Sequence, residues 1–97
     1  MAIERQIIIK PNPAGGVTFD PNPLQADALD QIFWTNDDTA AHWPARKDGN
    51  TIDRDFFMTN QIAPGGDVSA VFSTSLTNTL NYVCFLHQTE TGSIVIS

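Results

Sequence analysis

The chain carries one thiol and two imidazoles, and their positions decide what chemistry is open to it. Cys84 closes a strand-like run over 80–85, His87 follows after two residues, and Glu90 after two more. An alternating run, Ser93-Ile94-Val95-Ile96, then leads away. The other histidine, His42, lies far upstream, beyond a second strand-like run, Ile32-Phe33-Trp34. One thiolate and two imidazoles drawn from two strand ends form a soft, three-ligand set suited to copper. Copper(I) prefers thiolate and copper(II) accepts imidazole. A rigid trigonal arrangement of the three serves both states with little rearrangement, which is what fast electron transfer requires. For a fourth, weaker ligand, Glu90 is the residue that the loop supplies. A single cysteine excludes an internal disulfide and any two- or four-cysteine cluster within one chain, so the site is mononuclear or there is none.

Taken one at a time these residues have plainer readings. A lone cysteine in a β-domain is most often a small buried hydrophobe. A lone histidine is more often a hydrogen-bonded or surface residue than a ligand, and Glu90 alone reads as a solvated turn acid. The coincidence changes the balance: the only thiol and both imidazoles fall at strand ends, two of them three residues apart. Competing chemistries fare worse. Nucleophilic catalysis would need Cys84 polarised by a histidine beside an oxyanion hole, whereas it sits in an apolar strand end. Gly15-Gly16 and Gly65-Gly66 lack the lysine and helix start of a phosphate loop. The acids Asp37-Asp38 and Asp53 with Asp55 fit no EF-hand spacing and read as solvated surface.

The elements that must position this set read as all-β. Ninety-seven residues suffice for one domain over 1–97 with a core that needs no disulfide. Short runs rich in Ile, Val, Thr and Phe are separated by Pro, Gly, Asn and Asp, the pattern of sandwiches and barrels. Strands are expected over 6–10, 17–19, 29–35, 68–73, 78–85 and 92–96, with a further short piece over 24–28. Residues 45–60 read as an irregular connection holding a helical turn, and Ala63-Pro64-Gly65-Gly66-Asp67 as a tight turn. A net charge of -6 with no basic cluster argues against nucleic acid or an anionic membrane as partner. No apolar segment is long enough to span a bilayer, and the first ten residues lack the apolar stretch of a signal peptide. A Met-Ala start would also suit a mature, exported domain given a new initiator.

The motifs, in order, resemble those of the cupredoxins, the small blue-copper β-sandwich proteins. The resemblance covers nearly the whole chain. It runs through Phe19-Asp20-Pro21, then Trp34-Thr35-Asn36-Asp37-Asp38 leading to His42. An Ala63–Gly66 turn before a Val/Phe strand follows, and last Tyr82-x-Cys84-x-x-His87 with Gly92 and an alternating strand. The spacing from Trp34 to His42 and the short loop from Cys84 to Gly92 look most like amicyanin, with plastocyanin close by. The resemblance implies a Greek-key β-sandwich of seven or eight strands. It matches His42, Cys84 and His87 to the three equatorial ligands of a single copper per chain. The axial methionine of short-loop members falls two residues before the glycine, a place that Glu90 occupies here.

That departure matters. A carboxylate is harder than a thioether, so it should favour copper(II), lower the reduction potential and give a green or red centre. Cysteine, two histidines and a carboxylate would also suit zinc. Trp43 after His42 and Phe85 after Cys84 depart from the smaller polar residues common there, and with Pro44 and Leu86 they surround the ligands with apolar bulk. Asn36 or a neighbouring backbone N–H is expected to brace the loop or bond to the thiolate. The function implied is periplasmic electron transport by Cu(II)/Cu(I) cycling between redox proteins, an acidic surface steering toward a basic partner. The alternatives are a copper- or zinc-handling or sensing module, and a small-molecule-binding copper domain of a larger oxidoreductase system.

Overall fold

The computed structural model describes residues 3–97. Nine strands run in chain order: β1 (Glu4–Pro11), β2 (Val17–Asp20), β3 (Leu24–Ala26), β4 (Gln31–Asn36) and β5 (Pro44–Asp48). Then come β6 (Thr51–Asp53), β7 (Asp67–Val68), β8 (Thr79–Cys84) and β9 (His87–Ile96). They form two facing sheets, one ordered β2-β1-β4-β7 and the other β3-β9-β8-β5-β6. β1 pairs parallel with β4, and β3 parallel with β9, while the remaining pairs are antiparallel. The result is an all-β Greek-key sandwich, with no helix among the described residues.

Alternation along each strand sends one set of side chains inward. Ile7 and Ile9 from β1 and Ile32 and Trp34 from β4 meet Leu80 and Tyr82 from β8 and Ile94 and Ile96 from β9. Trp34 is the hub. Its ring stands edge-on to Phe57 at 4.9 Å and to Tyr82 at 5.4 Å, contacts worth roughly 0.5–1.5 kcal/mol each beyond the area they bury. Tyr82 faces Gly92 across the β8–β9 ladder. A Cβ on Gly92 would land on the tyrosine ring and hydroxyl, so this strand position admits only glycine.

Three expectations need correction. The stretch over 45–60 is not wholly irregular: its first half is the β5–β6 hairpin, turned at Gly49 with φ 61°. Pro44 and Ala45 are buried against β8, while the charges of Arg46, Lys47 and Asp48 belong to a strand one place from the sheet edge. Polar side chains there disguise a strand as a loop. The expected strand over 68–73 shrinks to Asp67–Val68 plus a single bridge from Phe72 to Ile32. Between them the Ser69 hydroxyl accepts the Trp34 N–H at 2.9 Å, so a side chain stands in for a ladder carbonyl. The last strand begins at His87 rather than near Gly92, because the turn after Cys84 is only Phe85-Leu86.

Candidate metal centre

Four chemistry-bearing side chains meet at one end of the sandwich. His42 enters from the connection between β4 and β5, where its backbone exchanges two hydrogen bonds with Ile62, at 3.2 and 2.7 Å. Cys84 ends β8 and points inward, 1% exposed. His87 opens β9. The ladder pairs Val83 with Thr91 but Cys84 with His87, so residues 88–90 have no partner on β8. This three-residue excursion frees Glu90 to turn its carboxylate toward the two imidazoles.

The donor atoms are close. Cys84 Sγ lies 3.5 Å from His42 Nδ1 and 3.6 Å from His87 Nδ1. Glu90 Oε1 lies 3.2 Å from His42 Nδ1 and 3.5 Å from His87 Nδ1. All four donors fall within 4.8 Å of one another. A metal held tetrahedrally at about 2.3 Å from sulfur and ~2.0–2.2 Å from nitrogen and oxygen gives nitrogen–sulfur edges near ~3.6 Å and nitrogen–oxygen edges near ~3.4 Å. The four nitrogen–sulfur and nitrogen–oxygen edges lie near these values, so the donor set suits a single ion. Glu90 Oε1 supplies a second argument: it is buried and has no hydrogen-bond partner, a costly condition unless something else satisfies it.

The surroundings hold these groups in place. His42 turns Nδ1 inward because Nε2 is engaged by the Asp38 carboxylate at 2.8 Å. That contact is the main reason the Asp38 carboxyl is held below its usual range. A carboxylate behind an imidazole fixes ring orientation and raises basicity at the other nitrogen. Asp38 was expected to be solvated surface. Its position four residues before His42 was the available signal, and turn chemistry at 36–39 concealed it. Asn36 braces the same loop. Its amide donates to the carbonyls of Ala40 at 2.8 Å and Ile62 at 3.0 Å, and its oxygen accepts the Asp38 N–H at 3.0 Å. The expected N–H to sulfur comes from Trp43, at 3.5 Å from Cys84 Sγ.

His42 is only 2% exposed, whereas His87 is 45% exposed and forms the solvent-facing edge of the cluster. Trp43 and Phe85, each directly after a member of the cluster, pack with ring centroids 5.6 Å apart. Arg54 lies over both rings, at 5.5 and 5.4 Å. Leu86 beside them is exposed. Met58 is exposed and is no part of the cluster.

Two sheets in this order, with a thiol and two imidazoles beneath the loops at one end, define the cupredoxin fold. Among solved structures, the chain is similar to a novel purple cupredoxin from Nitrosopumilus maritimus, with 23% identity and a TM-score of 0.74. The match covers 95% of this chain and 98% of that one. Plastocyanin from Dryopteris crassirhizoma matches at 13% identity and a TM-score of 0.72, over 96% and 100% of the two chains. Amicyanin from Paracoccus versutus matches at 14% identity and 0.70, over 95% and 81%. No protein-family model and no curated protein sequence matches the chain.

Proposed function

We propose that this protein binds one copper ion through His42, Cys84, His87 and Glu90 and carries electrons between redox proteins, without being an enzyme. The observation that carries the reading is the convergence of one thiol, two imidazoles and a carboxylate oxygen that has no other partner. Bound copper would supply the one-electron couple. The chain's own residues do the rest: Cys84 offers the soft donor, shielded from solvent, and the imidazoles are pre-aimed. Glu90 provides a hard oxygen that favours the oxidised state and lowers the potential relative to a thioether. His87, with its exposed ring and the apolar collar of Phe85 and Leu86, is the edge at which a partner would approach. A net charge of -6 suits a basic partner, and an exported, periplasmic setting suits the fold's relatives.

One observation favours a second reading, that the centre holds copper or zinc without transferring electrons. The four nitrogen–sulfur and nitrogen–oxygen edges, between 3.2 and 3.6 Å, are ones that zinc would accept as readily. The deciding experiment is copper(II) titration of the metal-free protein, followed by visible absorption and paramagnetic resonance. Electron transfer expects an intense thiolate-to-copper band that saturates at one equivalent and vanishes in Cys84→Ser, with a reversible reduction potential. Absence of the band defeats the reading; a band with no reversible couple favours metal holding. Glu90→Met is expected to raise the potential and shift the colour toward blue.

A further inference from the structure

Glu90 sits on the one segment of β9 that the ladder does not hold, yet its carboxylate stands close to both imidazoles. A glutamate side chain has three rotatable bonds, so something other than strand pairing must fix it. On the cluster side its neighbours are the metal-binding candidates. On the other side stands the turn between β1 and β2. That turn is closed by the Asn12 N–H to the Gly16 carbonyl at 3.1 Å and the Gly15 N–H to the Asn12 carbonyl at 2.9 Å. Gly16, at φ 68°, faces Glu90 so closely that a Cβ built on it would lie 3.3 Å from Oε2. Gly15, also left-handed at φ 108°, would meet nothing within 4 Å. Glu90 and this turn share the wall of an open cleft of about 400 Å³, so without Gly16 the carboxylate has room to swing away from the cluster.

We propose that Gly16 is a positioning residue for Glu90: its bare backbone forms the wall that sets how far the carboxylate reaches toward the imidazole–thiol cluster. The inference rests on the reading that Glu90 meets copper, and it adds which part of the chain controls that contact. A side chain at position 16 must push Oε2 by a few tenths of an ångström, and so move Oε1 on the cluster. At position 15, where φ is 108° against 68° at Gly16, the same substitution carries more backbone strain but brings no such push.

The test compares Gly16→Ala with Gly15→Ala, each with Glu90 present and in a Glu90→Ala background. Gly16→Asn and Gly15→Asn serve as a second pair, because asparagine tolerates positive φ best among the L residues. In the copper(II) protein, substitution at 16 is expected to shift the ratio of the blue and violet bands and the copper hyperfine splitting. Substitution at 15 should leave both at wild-type values, and neither should act once Glu90 is gone. The same variants are compared metal-free by the carbon-13 resonance of the Glu90 carboxyl, expected to move for 16 and not for 15. Equal spectra for position 16 and wild type, or an equal shift without Glu90, would overturn the proposal. A wild type with no thiolate band would instead sink the copper reading. In that case the carboxyl resonance alone decides on Gly16, a shift confined to position 16 upholding it and none refuting it.

Discussion

Two carboxylates, at opposite ends of the sandwich, receive opposite treatment. Asp30, just before β4, is fully satisfied. It accepts the N–H groups of Asp27 at 2.9 Å and Ile3 at 3.1 Å and the Arg5 guanidinium at 2.9 Å. Those contacts, Asp27 foremost and then Arg5, hold its carboxyl down at about 2. Glu90, near the start of β9, has an oxygen buried among two imidazoles and a thiol with no hydrogen bond at all. A satisfied buried charge helps to hold a fold together, whereas a buried oxygen without a hydrogen bond is costly to keep.

Substitutions at the two poles should therefore differ in size. The greatest loss of metal-free stability is expected for Asp30→Ala, which strands the Ile3 and Asp27 N–H groups and the Arg5 guanidinium together. Because the folded carboxyl lies below its ordinary 3.8, the stabilisation is complete above that value and disappears as the pH falls toward about 2. Thermal unfolding followed from pH 6 to pH 2 should give a steep acid limb for wild type and a flatter one for Asp30→Ala. Equal limbs would remove Asp30 from the comparison. Next in size, zinc(II) at a hundredfold excess over its Kd should add about 2.7 kcal/mol, some ~10–20 °C in a domain of this size. It should add nothing to Cys84→Ser. Asp38→Ala, which releases His42 Nε2, should weaken metal binding roughly 10–100-fold in a titration and leave the fold in place. The smallest effect belongs to Glu90→Gln. Replacing a carboxylate whose Oε1 makes no hydrogen bond should change metal-free stability by less than about 1 kcal/mol, in either direction. A large loss in that variant would break the contrast between the two ends.

The four members of the cluster were legible because the chain has one thiol and two imidazoles, all beside strand ends, and Glu90 follows His87 in the same short loop. The inward faces of β1, β4, β8 and β9 were legible because buried strands alternate openly, as at Ile32, Phe33 and Trp34. What sequence concealed was polar structure that tertiary context creates. Asp38 looks like any turn aspartate until the loop carries it under His42. The β5–β6 hairpin looks like a charged loop because Arg46, Lys47 and Asp48 lie near the rim of a sheet. Ser69 breaks β7 by lending its hydroxyl to Trp34, a contact 35 residues away that no local pattern encodes. The role of Gly16 was hidden for a similar reason, since two adjacent glycines read alike until one of them is found against Glu90.

The three unpaired residues between His87 and Thr91 have a bearing on how such a centre can change. Thr91 to Val95 are pinned by pairing with β8, and Cys84 and His87 are pinned to each other. Gln88, Thr89 and Glu90 are the only stretch of the strand whose length and composition the sheet does not dictate. The fold therefore behaves as a fixed socket with an interchangeable fitting. Selection, or an engineer, can rewrite the residue that stands beside the imidazoles, and its reach, while thiol, imidazoles and hydrophobic interior remain as they are. The chemistry of the centre is thereby free to drift at a pace of its own.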